Sequence, residues 1–135
     1  MININELKVG DYVLVEFEGV MRDGVVTRLN HEDKQICVET DVQEFWYEEE
    51  QLYPIPLTDE NLLKLNFVKE EFPDGGVKYK KGSFRLVIPA KDDFSSIEMW
   101  YREDRRHHPQ VHYIHQLQNQ YLQMTKVYHT NEVIA

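Results

Sequence analysis

The sequence is poor in the residues that stabilise small secreted proteins and that build rods or membrane spans. Its 135 residues include one cysteine, Cys37, so no disulfide can form within the chain. Six glycines and five prolines are too few for a collagen-like chain. No stretch approaches the ~18 consecutive apolar residues of a membrane-spanning helix, and no basic segment followed by an apolar run opens the chain. These absences predict a cytoplasmic protein with no signal peptide and no membrane association.

What is present is typical of a folded globular protein. Hydrophobic residues make up 41% of the chain and charged residues 29%. Such a composition favours a packed core over disorder. A chain of this length can bury roughly two-thirds of its unfolded surface. We therefore expect folding to need neither a metal nor a cofactor.

The charge is strongly acidic and unevenly distributed. The net charge is -9. Residues 1–72 hold 17 acidic and 6 basic side chains, whereas residues 73–135 hold 7 acidic and 9 basic ones. Nucleic acid is not expected as a ligand, because phosphate contacts need lysine and arginine. One basic cluster stands out in the second part, and it is either a solvated turn of mixed charge or a site for an anion or an acidic partner. Its members are Arg102, Arg105, Arg106, His107 and His108.

The first 56 residues are predicted to form a small SH3-like β-barrel or a curled antiparallel sheet. Short segments there alternate between apolar and polar residues or are rich in β-branched residues, as strands are. Glu18-Gly19 offers a turn, and Pro54 and Pro56 favour an extended exit because each proline restricts φ. The predicted strands cover residues 11–17, 24–29, 34–40 and 44–48.

Residues 57–135 are predicted to form an α+β part, with a helix, an antiparallel sheet and a C-terminal amphipathic helix. Thr58 is a good N-cap for the first helix. The predicted strands cover 67–72, 77–80, 84–88, 97–102 and 111–113. The C-terminal helix has an apolar stripe formed by Ile114, Leu117, Tyr121, Met124 and Tyr128. Its amide-rich face is expected to contact solvent, and the alternative is a face that recognises a partner by hydrogen bonds. The fold class is therefore α+β, and we expect the two parts to pack as one compact unit.

No constellation of catalytic residues is visible in the sequence. There is no glycine-rich phosphate loop and no nucleophile elbow. His112 and His115 are the candidates for metal ligands, since they would share one face if the last helix began at His112. No Asp, Glu or Cys between them or just after them completes the set. We predict neither a catalytic site nor a metal site.

Two tryptophans are the best candidates for contacts with a partner. Trp46 and Trp100 each lie on the opposite strand face from their apolar neighbours. A tryptophan placed in this way is either covered by another element or exposed as a binding anchor. The partner-binding candidates are Trp46, Trp100, Arg102, Arg105 and Arg106. Glu48, Glu49 and Glu50 are expected to form a solvated strand edge that blocks aggregation.

Two segments carry a resemblance to a known family. One is Ile4-Asn5-Glu6-Leu7-Lys8-Val9-Gly10-Asp11-Tyr12-Val13, and the other is His115-Gln116-Leu117-Gln118-Asn119. With the link around 53–63, they resemble a family of small bacterial proteins, often encoded near prophage-like or mobile regions. No activity is established for that family, so the resemblance implies no catalytic residue. The chain departs from the family pattern after Thr125.

Three hypotheses of function follow. The first is a non-enzymatic protein-interaction module of a bacterial or mobile-element genome, with an unknown protein partner. The second is an acidic decoy that mimics nucleic acid, which requires carboxylates in rows on one face. The third is an enzyme of unknown type, which requires at least two carboxylates or histidines with perturbed pKa values in a cleft. A homodimer is one way to hold the polar C-terminal segment.

Overall fold

The protein is a mixed α+β protein built from two five-stranded antiparallel sheets, a short helix between them in sequence and a C-terminal helix. This confirms the predicted α+β class. The computed structural model describes residues 2–107 and 111–134, with side chains through Thr125 in the last helix. The chain divides into two compact units. Unit 1 comprises Met1–Ile55 and Tyr113–Asn119, and unit 2 comprises Pro56–His112 and Gln120–Ala135.

Unit 1 contains the first sheet, which has the strand order β4-β3-β2-β1-β5. Side chains alternate between the two faces of each strand, and apolar residues occupy the buried face of the sheet. Examples are Val13 and Val15 in β1 and Ile36 and Val38 in β3. No pairing between β4 and β5 closes a barrel within the described residues. The strands are β1 Tyr12–Phe17, β2 Val20–Asn30, β3 Gln35–Glu39, β4 Glu44–Glu48 and β5 Leu52–Tyr53.

Two local features shape the first sheet. Glu18 and Gly19 form the β1–β2 turn with φ values of 52° and 77°, a combination that matches the twist of a hairpin. A register shift between Val26 and Arg28 marks a bulge in the long β2. A 3-10 turn, Glu49–Gln51, then leads from β4 into β5. The chain therefore returns so that β5 pairs with β1.

Unit 2 contains the second sheet, with the order β10-β9-β8-β7-β6. Thr58 caps the short helix α1 as predicted, since its Oγ1 accepts a hydrogen bond of 3.1 Å from the backbone N–H of Asn61. The elements are α1 Asp59–Lys64, β6 Val68–Glu71, β7 Val77–Lys81, β8 Phe84–Ile88, β9 Glu98–Tyr101 and β10 Asp104–His107.

The core of unit 2 is built around Phe84, which is fully buried. Its ring centroid lies 5.0 Å from that of Tyr121 and 6.2 Å from that of Phe67, both in edge-on geometry. At one side of this core, the hydroxyl of Tyr79 donates a 2.7 Å hydrogen bond to the Asp59 carboxylate. Lys69 contacts the same carboxylate at 2.9 Å. Burial and the Asp59 carboxylate raise the pKa of Tyr79 well above its usual range.

The prediction for the end of the second sheet was wrong. Residues 111–113 form no strand, and the last strand is instead β10, inside the basic cluster. Residues Asp104 to His107 are all polar, so no apolar alternation reveals the strand. β10 pairs with β9 across a tight turn at Arg102 and Glu103, where Arg102 has a φ of 56°.

Helix α2 spans Ile114–Ile134. Ile114, Leu117 and Met124 of the predicted stripe are buried, and Tyr121 is half-buried. The side chain of Tyr128 and the residue His108 lie outside the described residues. The first turns of α2 belong to unit 1, and its residues from Gln120 onward belong to unit 2. In the described part of the chain, neither helix combines the length and the hydropathy that crossing a bilayer requires.

Candidate functional site

A row of cationic and aromatic side chains crosses the face of the second sheet that is turned away from the unit 2 core. Strand register places Lys80 beside Arg85, Arg85 beside Trp100, and Trp100 beside Arg105. Lys80, Arg85 and Trp100 each follow a buried residue of their strand, such as Tyr79, and therefore point to the outer face. Arg105 points to the same face because it pairs in register with Trp100. Lys80 and Arg105 are exposed, and Arg85 and Trp100 are half-buried. We call these four residues the cationic row.

Trp100 is held between two arginines of the cationic row. The guanidinium carbon of Arg85 lies 5.4 Å from the centroid of the indole ring, and that of Arg105 lies 5.2 Å from it. Both distances are within the range of cation–π attraction. The two arginines come from β8 and β10, the strands that flank β9. The stack therefore orients both guanidinium groups and covers the tryptophan.

The two stacked arginines differ in their polar partners. Arg105 donates from Nε to the Glu98 carboxylate at 2.8 Å. Arg85 donates from Nη2 to the backbone carbonyl of Arg102, also at 2.8 Å. Within the described residues, neither Arg85 nor Lys80 has a carboxylate within 4 Å. The row thus carries two cations whose charge is not neutralised locally.

The predicted basic cluster does not act as one surface. Arg105 shares the outer face with Trp100, whereas Arg106 pairs in register with Met99 on the opposite face and contacts Asp104 at 3.1 Å. Arg102 lies in the turn, with its guanidinium carbon 5.6 Å from the Tyr101 ring. Sequence patterns alone do not point to Arg85 or Lys80, because only the register brings them beside Trp100.

The other predicted anchor, Trp46, lies on the outer face of the first sheet and is 37% exposed. Arg28 covers part of it, with the guanidinium carbon 5.2 Å from the ring centroid. Cys37 lies between them in register and is buried. Arg28 also contacts the Glu44 carboxylate at 3.8 Å. Trp46 thus has one arginine and an acidic surrounding, whereas Trp100 has two arginines.

The carboxylates of unit 1 do not form an uninterrupted row. Glu39 faces Glu44 across β3 and β4, but Arg28 and Trp46 lie on the same face. Glu49 is not a solvated edge residue, because its carboxylate accepts a 2.7 Å hydrogen bond from the backbone N–H of Ile4. This arrangement gives the decoy hypothesis no specific support.

Residues of the segments 4–13 and 115–119 meet inside unit 1. The Gln118 amide accepts a 2.7 Å hydrogen bond from the Tyr12 N–H and donates a 3.0 Å bond to the Gly10 carbonyl. Asn119 donates a 2.8 Å bond to the Glu6 carbonyl. We call this set of contacts the N-terminal latch. Part of the amide-rich helix face is therefore engaged with backbone groups, contrary to the expectation that it contacts solvent.

Two titratable groups are buried beside the latch. Burial raises the pKa of Asp11 to about 6, although the Lys8 backbone N–H and the Asn119 side chain favour its charged form. Burial lowers the pKa of His115, and the Glu6 carboxylate, 3.6 Å from its Nε2, partly offsets the effect. Asp11 and His115 are 3% and 1% exposed. They present almost no surface to a substrate, so we assign them to the latch.

Replacing Gln118 with alanine is expected to destabilise the protein by about 1–3 kcal/mol, because it removes two hydrogen bonds, one from the Tyr12 N–H and one to the Gly10 carbonyl. Urea unfolding followed by circular dichroism measures the change. Gln123→Ala is the matched control on the same helix, since Gln123 is exposed, and its effect should stay within about 0.5 kcal/mol. Equal effects of the two variants would contradict a stabilising role of the latch.

A metal site shared by His112 and His115 required the last helix to begin at His112, and the structure does not meet this condition. Helix α2 begins at Ile114, after His112. His112 is exposed and belongs to unit 2, whereas His115 is buried and belongs to unit 1. Within residues 2–107 and 111–125, no group of three or more His, Cys, Asp or Glu side chains is arranged to hold a metal ion.

Comparisons of the chain with protein-family models, with curated proteins and with solved structures find no match.

Proposed function

We propose that the protein is a non-enzymatic protein-interaction module of the bacterial cytoplasm, encoded by a bacterial or mobile-element genome, and that it binds its partner through the cationic row. The observation that carries this proposal is the stack of Arg85, Trp100 and Arg105 on the outer face of the second sheet. Tryptophan and arginine are the residues most enriched among those that dominate binding energy at protein interfaces. A rigid sheet that holds them in register limits the entropy lost on binding.

We also propose that unit 1 is an incompletely closed member of the SH3-like class. Three features support this: the β4-β3-β2-β1-β5 order, the bulge that bends β2, and the 3-10 turn before β5. The class hosts many functions, so this assignment by itself implies none. It is compatible with an interaction module in which unit 2 contributes the partner-binding face.

The proposed function predicts that Trp100→Ala loses a protein partner that Trp46→Ala retains. The measurement is an affinity capture from a lysate of the organism that encodes the protein, with bound proteins identified by mass spectrometry. The two variants are matched, because each removes one tryptophan that an arginine covers. Both must first show the circular dichroism spectrum and unfolding cooperativity of the wild type.

Other outcomes would count against the proposal in different ways. A partner lost by Trp46→Ala and kept by Trp100→Ala would move the interface to the first sheet. A basic partner released by moderate salt and indifferent to both substitutions would favour the acidic decoy. Recovery of no partner by the wild-type protein in vivo and in lysate would contradict the interaction module and favour an enzyme.

A further inference from the structure

We infer that the partner presents carboxylates: an acidic, extended peptide segment that lies across the cationic row and binds Arg85 and Lys80. This inference rests on the proposed function, because it specifies the chemistry of the partner at the same face. It follows from the charges that the row leaves unpaired and from the way in which the stacked arginines use their polar atoms.

The row already binds a carboxylate of its own chain at one end. Arg105 is stacked on Trp100 and donates through Nε to Glu98 at 2.8 Å. A guanidinium stacked on an aromatic ring keeps its edge free for such bonds, because the stack uses only its flat face. This ion pair shows that the stacked geometry is compatible with carboxylate recognition at the surface of this sheet.

At the other end of the row, no carboxylate of the described residues pairs with the stacked arginine. Arg85 is stacked on the same ring but uses one nitrogen on the Arg102 carbonyl. Its register neighbour Lys80 is exposed. Lys78, two residues before Lys80 in β7, has a different environment, since it is paired with Glu70 at 3.0 Å. Arg85 and Lys80 therefore form a pair of neighbouring cations that an acidic segment would complement.

The same observations disfavour single-stranded nucleic acid, which is the other polyanion a flat cationic sheet can bind. Proteins that bind single strands stack bases on free aromatic faces. Trp100 has guanidinium groups on its ring from both neighbouring strands. A carboxylate partner needs neither a free ring nor a long polyanion.

The test uses the tryptophan of the row as the reporter. In a Trp46→Phe background, Trp100 is the one remaining tryptophan. Its fluorescence is followed during titration with a hexaglutamate peptide at constant ionic strength, with hexalysine and a thymidine oligonucleotide as the other ligands. We expect a saturable change with hexaglutamate, none with hexalysine, and affinity for the oligonucleotide at least about tenfold weaker.

Charge-matched variants locate the contact. Arg85→Gln should weaken hexaglutamate binding by about tenfold or more, the loss of one charge-assisted hydrogen-bonded pair. Arg22→Gln removes the same charge from the first sheet, where Arg22 contacts Asp41 at 3.4 Å, and should change the affinity less than about twofold. The effect of Lys80→Gln on hexaglutamate affinity should lie between the effects of Arg85→Gln and Arg22→Gln.

The inference is overturned if hexaglutamate gives no saturable change, if the oligonucleotide binds more tightly, or if Arg22→Gln and Arg85→Gln weaken binding equally. The last result would mean that net charge alone drives association. These failures leave the proposed function intact if Trp100→Ala still loses its captured partner, because that partner would then engage the row by other chemistry.

Discussion

Phe84→Ala is expected to lower the free energy of unfolding by roughly 3–5 kcal/mol, a large fraction of the stability of a typical domain. The ring is fully buried and packs edge-on against Phe67 and Tyr121. Truncation removes these contacts and leaves a cavity that can be filled only if the segments that hold Phe67 and Tyr121 move. Chemical denaturation followed by tyrosine fluorescence and circular dichroism would measure the loss.

A matched truncation at the surface separates cavity formation from the simple loss of an aromatic ring. Phe45 lies in β4 of the first sheet and is 47% exposed. Phe45→Ala should therefore cost about 1 kcal/mol or less, despite its ring contacts with Phe17 and Tyr47. If Phe84→Ala were no more destabilising than Phe45→Ala, the core assigned to unit 2 would be wrong.

The second large effect is a dependence of stability on pH that Asp11→Asn removes. The pKa of Asp11 in the folded protein is about 6, whereas an aspartic acid in the unfolded chain has a pKa of 3.8. The difference arises because burial favours the protonated form. Between those two values the folded state holds a proton that the unfolded state has lost. The stabilisation from Asp11 is therefore complete below pH 3.8 and is lost as the pH rises through 6. The loss amounts to roughly 3 kcal/mol.

In the wild type, the Lys8 N–H donates a 3.0 Å hydrogen bond to Oδ2 of Asp11. The asparagine of Asp11→Asn can accept the same hydrogen bond but is neutral at every pH. The stability of the variant relative to wild type should therefore rise by roughly 3 kcal/mol between pH 4 and pH 8. Taking the difference removes the contribution of His115. The lowered pKa of His115 acts in the opposite direction, because its neutral buried form is stable at high pH and is destabilised as the pH falls. A difference that does not vary with pH would contradict the raised pKa of Asp11.

Strands with an apolar face could be predicted from the sequence, and strands without one could not. β4 and β8 have the predicted bounds, because Phe45 and Tyr47, and likewise Phe84, Leu86 and Ile88, recur at every second position. β5 has two residues, too few to show an alternation of apolar and polar residues. β10 is entirely polar, and only its pairing with β9 defines it. In both cases tertiary pairing determines the strand.

The candidate site was predictable in its residue types and unpredictable in its grouping. Trp100 and Arg105 were candidates from the sequence, and the register brings them together. Arg85 lies on the same row from another hairpin, and no local pattern indicates which strands are neighbours. Arg106, adjacent to Arg105 in sequence, points to the other face because successive strand residues alternate.

Unit 1 is assembled from two pieces of chain that are far apart in sequence, and this sets the order in which it can be completed during synthesis. The latch joins Tyr12 to Gln118 and Glu6 to Asn119, separations of 106 and 113 residues. At about 5–20 residues per second, a ribosome would add the closing residues several seconds after the first sheet has emerged. During that interval the Tyr12 N–H and the Glu6 and Gly10 carbonyls lack their final partners. A fragment that stops at Ile55 would keep the five strands of the first sheet but would remain permanently in that unlatched state.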